Sequence, residues 1–209
     1  MDLTGKNILI TGASGRLGQQ VIYELNKIGV KPVAHVRESS NTKFIDSLNL
    51  EKRTADLRQR EKLPHLVKDI DYIIHTVGLI DFRQDRMTQF AGVNAVAAAD
   101  LFETAQKAGV QKFVHISSVV AVGGMRRSSK TIEHRGDTDL GNEDIAFNLD
   151  NLRIPYIMSK RAAEIELLKL SENGGTELVI VNPSIVMAPS RTGDDRTKAK
   201  KRLKGFVVP

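Results

Sequence analysis

A short apolar run, 8–10, is followed by three closely spaced glycines: Gly12, Gly15 and Gly18. The run is typical of a buried strand, and the apolar spacing after Gly18 indicates an amphipathic helix. Gly12 permits a tight turn, Gly15 lets the backbone approach a diphosphate, and Gly18 lets the helix pack closely on the strand. The helix N-terminus then offers free N–H groups and a positive dipole end to phosphates. This order of strand, turn and helix predicts a dinucleotide site.

The turn and the first helix supply the first group of predicted cofactor-binding residues: Gly12, Ser14, Gly15, Arg16 and Leu17. We expect one face of the helix to be buried, and its residues recur at helical spacing: Leu17, Val21, Ile22, Leu25 and Ile28. Gly29 stands where a C-terminal cap is expected.

Strand and helix patterns alternate along the rest of the chain, without an internal repeat or a linker. Further strands are predicted at 31–37, 53–57, 72–78, 112–118 and 177–183. Helices are predicted at 58–68, at 84–108 and from Pro155 to the glycines at 174–175. An irregular loop is expected over 119–151. Such alternation predicts an α/β fold with a doubly wound parallel sheet of the Rossmann type, in strand order 3-2-1-4-5-6.

The end of the second strand bears on the choice of cofactor, because it faces the adenosine ribose in this fold. An acidic residue there would favour NAD, whereas this chain has Arg37, followed by Ser39, Ser40 and Lys43. Arginine pairs well with phosphate, so the sequence favours NADP (NADPH) over NAD; the alternative is a surface arginine. After the third strand, Asp56 and Leu57 are predicted to lie by the adenine, although Asp56 could equally cap the next helix.

In a parallel sheet, ligands lie outside the carboxyl ends of the strands. The predicted strand ends therefore place two further groups in the cofactor site: Thr76, Val77 and Gly78 after the fourth strand, and Ser117 and Ser118 after the fifth. Asn94 lies on the apolar face of the long helix, with Phe90, Ala97, Leu101 and Ala105. Asn94 is also predicted to belong to the cofactor site. A buried amide needs partners, so Asn94 either ties this helix to its neighbours or holds a catalytic water.

Tyr156 and Lys160 are four residues apart on a predicted helix, so their side chains point the same way. An ammonium beside a phenol favours the phenolate, and such a tyrosine can exchange a proton with a carbonyl or alcohol oxygen. Ser118 would hydrogen-bond the same oxygen, while a nicotinamide carries the hydride. The simpler interpretation of this spacing is an exposed helix face.

Five segments, in order, resemble the extended branch of the short-chain dehydrogenase/reductase superfamily: 11–18, 93–94, 115–118, 156–164 and 181–186. Within that branch, which includes NAD-dependent epimerases and dehydratases, the chain is most similar to dihydroflavonol-reductase-like proteins that use NADPH. The resemblance implies catalytic roles for Ser118, Tyr156 and Lys160, with the last two also touching the cofactor. It further implies that the segment carrying Pro183, Ser184 and Val186 passes the nicotinamide.

The chain departs from that pattern at Val122-Gly123, at Ala188-Pro189 and at its end, Pro209. Relatives continue into a segment that builds the substrate pocket. We therefore expect an NAD(P)-binding domain at 1–190, the start of a truncated substrate segment at 191–209, and a largely absent substrate lobe. The prediction is an NADPH-dependent reductase of a carbonyl on a small organic substrate. Two alternatives stay open: a nucleotide-sugar epimerase or dehydratase holding NAD, and a non-catalytic NADPH-binding sensor or scaffold.

Composition limits the remaining classes of partner and compartment. The net charge is +6 and basic residues cluster at 126–130 and 196–204, but without interleaved aromatics, so nucleic acid is not expected. The absence of cysteine excludes disulfides, and neither a signal peptide nor a membrane span is expected, which suggests a cytoplasmic protein. His75 and His115 are expected to be packed histidines rather than metal ligands. A homodimer is the expected assembly.

Overall fold

The structure is a computed structural model that describes these residues: 3, 5–80, 86–124, 146–184 and 186. The predicted substrate segment at 191–209, both basic clusters and the predicted helix start at Gln84 lie outside the described residues.

Six parallel strands form one sheet. They are β1 (Ile8–Thr11), β2 (Val33–Val36), β3 (Lys52–Thr54), β4 (Tyr72–His75), β5 (Lys112–Ile116) and β6 (Glu177–Val181). Their order, β3-β2-β1-β4-β5-β6, confirms the predicted doubly wound topology. β1 extends one residue beyond the predicted run. The other five strands end before their predicted carboxyl ends, because the chain leaves the sheet there towards the candidate site.

The helices lie between the strands in the chain. They are α1 (Arg16–Lys27), α2 (Lys43–Ser47), α3 (Leu63–Val67), α4 (Met87–Phe90), α5 (Ala97–Lys107), α6 (Val119–Val122) and α7 (Pro155–Ser171). A π-helical turn, Ala91–Val96, joins α4 to α5, and 3₁₀ turns occur at Arg60–Lys62 and Asp150–Leu152. In the described part of the chain, every helix is too short or too polar to cross a membrane.

The core divides into two layers, one on each face of the sheet. On one face, Leu9, Ile73 and Phe113 pack among residues of α3, α5 and α7. On the other, Ile8 and Ile10 pack against α1 and α2. Because side chains alternate between the faces of a strand, β1 contributes to both layers. Both faces must be covered in a parallel sheet, which explains the continuous apolar runs in the sequence.

Three local predictions were wrong. Ile28 is 66% exposed, because it caps α1 rather than extending its buried face. The helix predicted over 58–68 begins as a 3₁₀ turn and becomes α-helical only at 63–67. The stretch predicted to be irregular, 119–151, contains α6 at its start and the beginning of a 3₁₀ turn at Asp150. Buried Ala121 and the packing of α6 on α7 stabilise this short helix.

Candidate cofactor site and active site

The glycine turn joins β1 to α1 in the way the sequence predicts. Gly12 has φ +72°, which favours glycine. A Cβ built on Gly18 would lie 2.9 Å from the Ala13 Cα and closer still to the Gly12 carbonyl oxygen, so the first turn of α1 packs directly on the loop. Gly15 is the extended N-cap residue. Gly15 and Arg16 are exposed, whereas Ser14 and Leu17 are half-buried, so the helix N-terminus is open to an anionic ligand.

Two side chains that the sequence analysis did not single out hold this loop. The Gly12 N–H donates to Nδ1 of His35 at 3.2 Å, and Nε2 of His35 donates to the Ala55 carbonyl at 3.0 Å. Burial lowers the pKa of His35, so the ring is neutral with its hydrogen on Nε2. Gln19 donates to the Ser14 carbonyl at 2.9 Å. Gln19 fits the helical pattern of α1, and His35 fits the strand pattern of β2. Neither pattern indicates that the side chain contacts the glycine turn.

Arg37 lies exposed just beyond β2, with its backbone N–H donating to the Ser40 hydroxyl at 3.0 Å. Asp56 accepts from the backbone N–H of Arg58 at 3.0 Å and from its guanidinium. Hydrogen bonds from Arg58 chiefly lower the pKa of Asp56 to about 2, and the charge of Arg37 adds to this. Asp56 is therefore held in an ion pair with Arg58. It does not cap the next helix, because the 3₁₀ turn begins only at Arg60, with Gln59 as N-cap and without a side-chain cap hydrogen bond. The side chain of Leu57 is buried in the core.

After β4 the chain passes close to α7. The Thr76 hydroxyl donates to the Thr11 carbonyl at 2.7 Å, Val77 is half-buried and Gly78 is exposed. A Cβ built on Gly78 would lie 3.4 Å from Nζ of Lys160. The glycine thus brings the backbone next to the lysine predicted to be catalytic.

Asn94, in the π-helical turn, makes three hydrogen bonds. Its Oδ1 accepts from the Leu79 N–H at 2.7 Å, and its Nδ2 donates to the Leu79 carbonyl at 3.1 Å and to the Ser159 hydroxyl at 2.9 Å. Of the two predicted roles, the structure shows the tie between neighbouring elements. Ser159 extends this hydrogen-bond network to α7, because its hydroxyl donates to the Tyr156 carbonyl at 2.9 Å.

The three residues predicted to be catalytic are all buried around the junction of β5 and α7. Tyr156 is 8% exposed, Lys160 4% and Ser118 9%. Nζ of Lys160 donates to the Ile116 carbonyl at 2.8 Å. Burial lowers the pKa of Lys160 to about 8, against an opposing effect of Glu164. Ser118 follows β5 and precedes α6, and Ser117 beside it is also buried.

The chain leaving β6 runs alongside Ser118. The carbonyl of Pro183 accepts from the Val119 N–H at 3.1 Å, while Ser184 and Val186 are exposed. Asn182, which the sequence analysis did not single out, donates to the Ser118 carbonyl at 3.1 Å. Asn182 and Pro183 thus contact the backbone at and next to Ser118, the serine predicted to be catalytic.

His75 and His115 stack with ring centroids 5.4 Å apart, and Nδ1 of His75 is 2.8 Å from the Thr11 hydroxyl. Burial chiefly lowers the pKa of both rings, that of His115 to about 3. Over the described ranges, no three His, Cys, Asp or Glu side chains converge on a point that could hold a metal.

A doubly wound parallel sheet with a glycine turn before α1 defines the class of dinucleotide-binding folds. Residues 8–206 match the model of the NAD dependent epimerase/dehydratase family. The chain belongs to that family, and this confirms the resemblance seen in the sequence.

Two curated relatives and one solved structure illustrate the match. The chain is 29% identical over 181 residues to sterol demethylase protein B of Methylococcus capsulatus, covering 87% of the chain and 52% of the relative. It is 27% identical to a putative dihydroflavonol 4-reductase of Synechocystis, covering 86% of the chain and 49% of the relative. The crystal structure of gox2253 superposes with a TM-score of 0.77 at 26% identity, covering 94% of the chain and 56% of that structure. The chain thus spans about half the length of these relatives.

Proposed function

We propose that this chain carries the cofactor-binding and proton-transferring half of an NADPH-dependent oxidoreductase that reduces a carbonyl on a small organic substrate. The observation that carries the proposal is Lys160, a buried lysine anchored on the end of β5, one helical turn from Tyr156. A lysine is rarely buried without a role for its charge. Here it lies next to Gly78, at the carboxyl edge of the sheet where ligands of this fold bind.

The residues present fit a dinucleotide. The turn at 12–18 can fold tightly because side chains on Gly12 and Gly18 would collide with Thr76 and with the turn itself. The open N-terminus of α1 that follows suits the negative charge of a diphosphate. A bound nicotinamide cofactor supplies the hydride. We infer that NADPH is preferred, because Arg37 is exposed beside the predicted ribose position while Asp56 is already paired with Arg58.

The residues of the chain then act on the substrate oxygen. The Tyr156 hydroxyl donates a proton to the carbonyl oxygen as negative charge develops there, and the Ser118 hydroxyl hydrogen-bonds the same atom. The ammonium of Lys160 stabilises the resulting phenolate. Burial of all three side chains strengthens these interactions, since charges act more strongly away from water.

The test is turnover of NADPH with a panel of aldehydes and ketones. Tyr156→Phe removes the proton donor but keeps the ring, so we expect turnover to fall at least about a hundredfold, in line with general acid catalysis. NADPH affinity, measured by fluorescence titration, should stay within about threefold, because the ring still fills its place. Tyr23→Phe, on α1, is the matched control and should behave as wild type. Unchanged turnover in Tyr156→Phe would contradict the proposal.

The other outcomes identify the alternatives. Conversion of a nucleotide sugar with cofactor retained through purification would indicate an epimerase or dehydratase, as the family description allows. Tight NADPH binding without turnover across the whole panel would indicate a sensor or scaffold. Either result would replace the reductase proposal.

A further inference from the structure

Glu164 lies one turn after Lys160 on α7 and is 6% exposed. A carboxylate in the interior is costly unless it is hydrogen-bonded or paired. Its Oε1 accepts a hydrogen bond from Nδ2 of Asn182 at 2.6 Å. The donor comes from the chain just beyond β6, so this contact joins α7 to the edge of the sheet.

The same amide group reaches the predicted active-site serine. Nδ2 of Asn182 also donates to the Ser118 carbonyl at 3.1 Å. Both partners are acceptors, which fixes the orientation of the amide. The Ser117 N–H donates to the Val181 carbonyl at 2.8 Å, and the Val119 N–H to the Pro183 carbonyl at 3.1 Å. Three successive residues around Ser118 are therefore tied to the chain leaving β6.

We propose that Glu164 and Asn182 are positioning residues: Glu164 keeps Lys160 in its charged form, and Asn182 links that carboxylate to the backbone of Ser118. The chemical meaning of this pair rests on the proposed function, in which Lys160 acts as a cation. The effect on Lys160 itself does not depend on any substrate.

Lys160 is subject to two opposing effects. Burial favours the neutral amine and lowers the pKa of Lys160 to about 8, while the negative charge of Glu164 acts in the other direction. One unit of pKa changes the ratio of charged to neutral lysine tenfold. A further fall in the pKa of Lys160 would therefore leave much of this lysine uncharged near neutral pH. Glu164 is thus the group that keeps the ammonium predominant there.

Other elements packed around Lys160 supply no comparable charge in their described residues. His75 and His115, from β4 and β5, are neutral because burial lowers the pKa of each. The residues of α4, the π-helical turn and α6 carry no ionisable side chain. The acids of α5 and β6 lie in ion pairs: Asp100 and Glu103 with Arg60, and Glu177 with Lys112. On α7, Arg161 donates to the Ala121 carbonyl at 3.4 Å.

The titration of Lys160 can be followed directly by NMR of side-chain Cε and Nζ in lysine-labelled protein. Its signal is assigned as the one missing from Lys160→Arg. In Glu164→Gln the side chain keeps its shape and still accepts from Asn182, but loses its charge. We expect the Lys160 midpoint to fall by roughly one unit or more, as for loss of a nearby opposite charge. Glu166→Gln makes the same change on the opposite side of α7 and should leave the midpoint unchanged.

A midpoint in Glu164→Gln equal to that of wild type would overturn the electrostatic role. Glu164→Asp keeps the charge and should hold the midpoint within about half a unit of wild type; if Glu164→Gln does not fold, a full-unit fall in Glu164→Asp overturns the role instead. These readouts need no substrate, so a failure here is distinct from a failure of the proposed function, which Tyr156→Phe tests through turnover.

The link to Ser118 is tested separately by amide hydrogen exchange. Asn182→Ala removes the donor but not the carboxylate. We expect the Val119 N–H to exchange at least about tenfold faster, because a local opening that releases it then costs less. Unchanged exchange at Val119 would show that Asn182 does not hold the serine backbone.

Discussion

At the scale of single residues, Arg37 carries the proposed choice of cofactor. It stands exposed beyond β2, and the neighbouring acid, Asp56, is paired with Arg58. Because the Asp56 carboxylate is paired with Arg58, we expect the exposed Arg37 to pair with a 2′-phosphate, and a charge-assisted hydrogen bond of this kind contributes about 1.5–3 kcal/mol.

Arg37→Asp should therefore weaken NADPH binding well beyond tenfold, since about 1.4 kcal/mol corresponds to one decade of affinity. NADH binding should change far less, because its ribose carries no phosphate and an acid can accept from the hydroxyls. Fluorescence titration of both cofactors measures the two effects. Arg53→Asp would damage contacts inside the fold. Lys31→Asp makes a matching charge change at an exposed position before β2, at the amino end of the strand, and should leave both affinities unchanged. If Arg37→Asp weakened the binding of NADPH and NADH equally, Arg37 would act only as a general surface charge, and the proposed preference for NADPH would be wrong.

At the scale of elements, the long helical segment shows what sequence periodicity could predict. The predicted core stripe is buried throughout: Phe90, Asn94, Ala97, Leu101 and Ala105. Nothing in that spacing reveals the π-helical turn within it, because the stripe keeps its three- and four-residue steps across the turn. Such turns occur often at functional sites, and here the turn directs Asn94 at Leu79 and Ser159.

Asn94→Leu removes the three hydrogen bonds that the Asn94 side chain makes, while keeping a side chain of similar size. We expect the free energy of unfolding to fall by roughly 3 kcal/mol, since buried groups left without partners cost about 1–3 kcal/mol each. Urea unfolding monitored by circular dichroism measures this change. Gln89→Ala removes an exposed amide from α4 and should cost less than about 0.5 kcal/mol. Equal losses in the two variants would mean that Asn94 does not tie the elements together.

Sequence patterns predicted the parts of the candidate site whose residues lie close together in the chain, and missed contacts between residues far apart in it. Tyr156 and Lys160 share one helix, and their four-residue spacing alone predicted that they share a face. Asn182 and Glu164 meet only because the chain leaving β6 passes α7, and neither residue type indicates this in the sequence. His35 was missed for the same reason, since its two contacts lie on other loops. Strand order was predictable because parallel strands joined by helices admit few topologies.

At the scale of the whole molecule, three buried histidines make the stability of the fold depend on pH. His35, His75 and His115 all lie on the inner strands and are 2% exposed or less. Burial chiefly lowers the pKa of each below the ordinary 6.5. The unfolded chain takes up protons near pH 6.5, whereas the folded chain does not, so stability must fall as the pH decreases through that value.

His115 gives the clearest case, because burial lowers its pKa to about 3. Its contribution is complete above pH 6.5 and is lost progressively between about 6.5 and 3, by roughly 2 kcal/mol at pH 5. The acids with lowered pKa, such as Asp56 at about 2, take up protons at lower pH. They therefore contribute little to the change in stability between pH 6.5 and 5. We therefore expect His115→Gln to flatten the decline in unfolding free energy between pH 6.5 and 5, measured by urea unfolding at each pH. His65→Gln, at an exposed position on α3, is the control and should retain the slope of wild type. A slope in His115→Gln as steep as in wild type would show that His115 takes up its proton in the folded state as well.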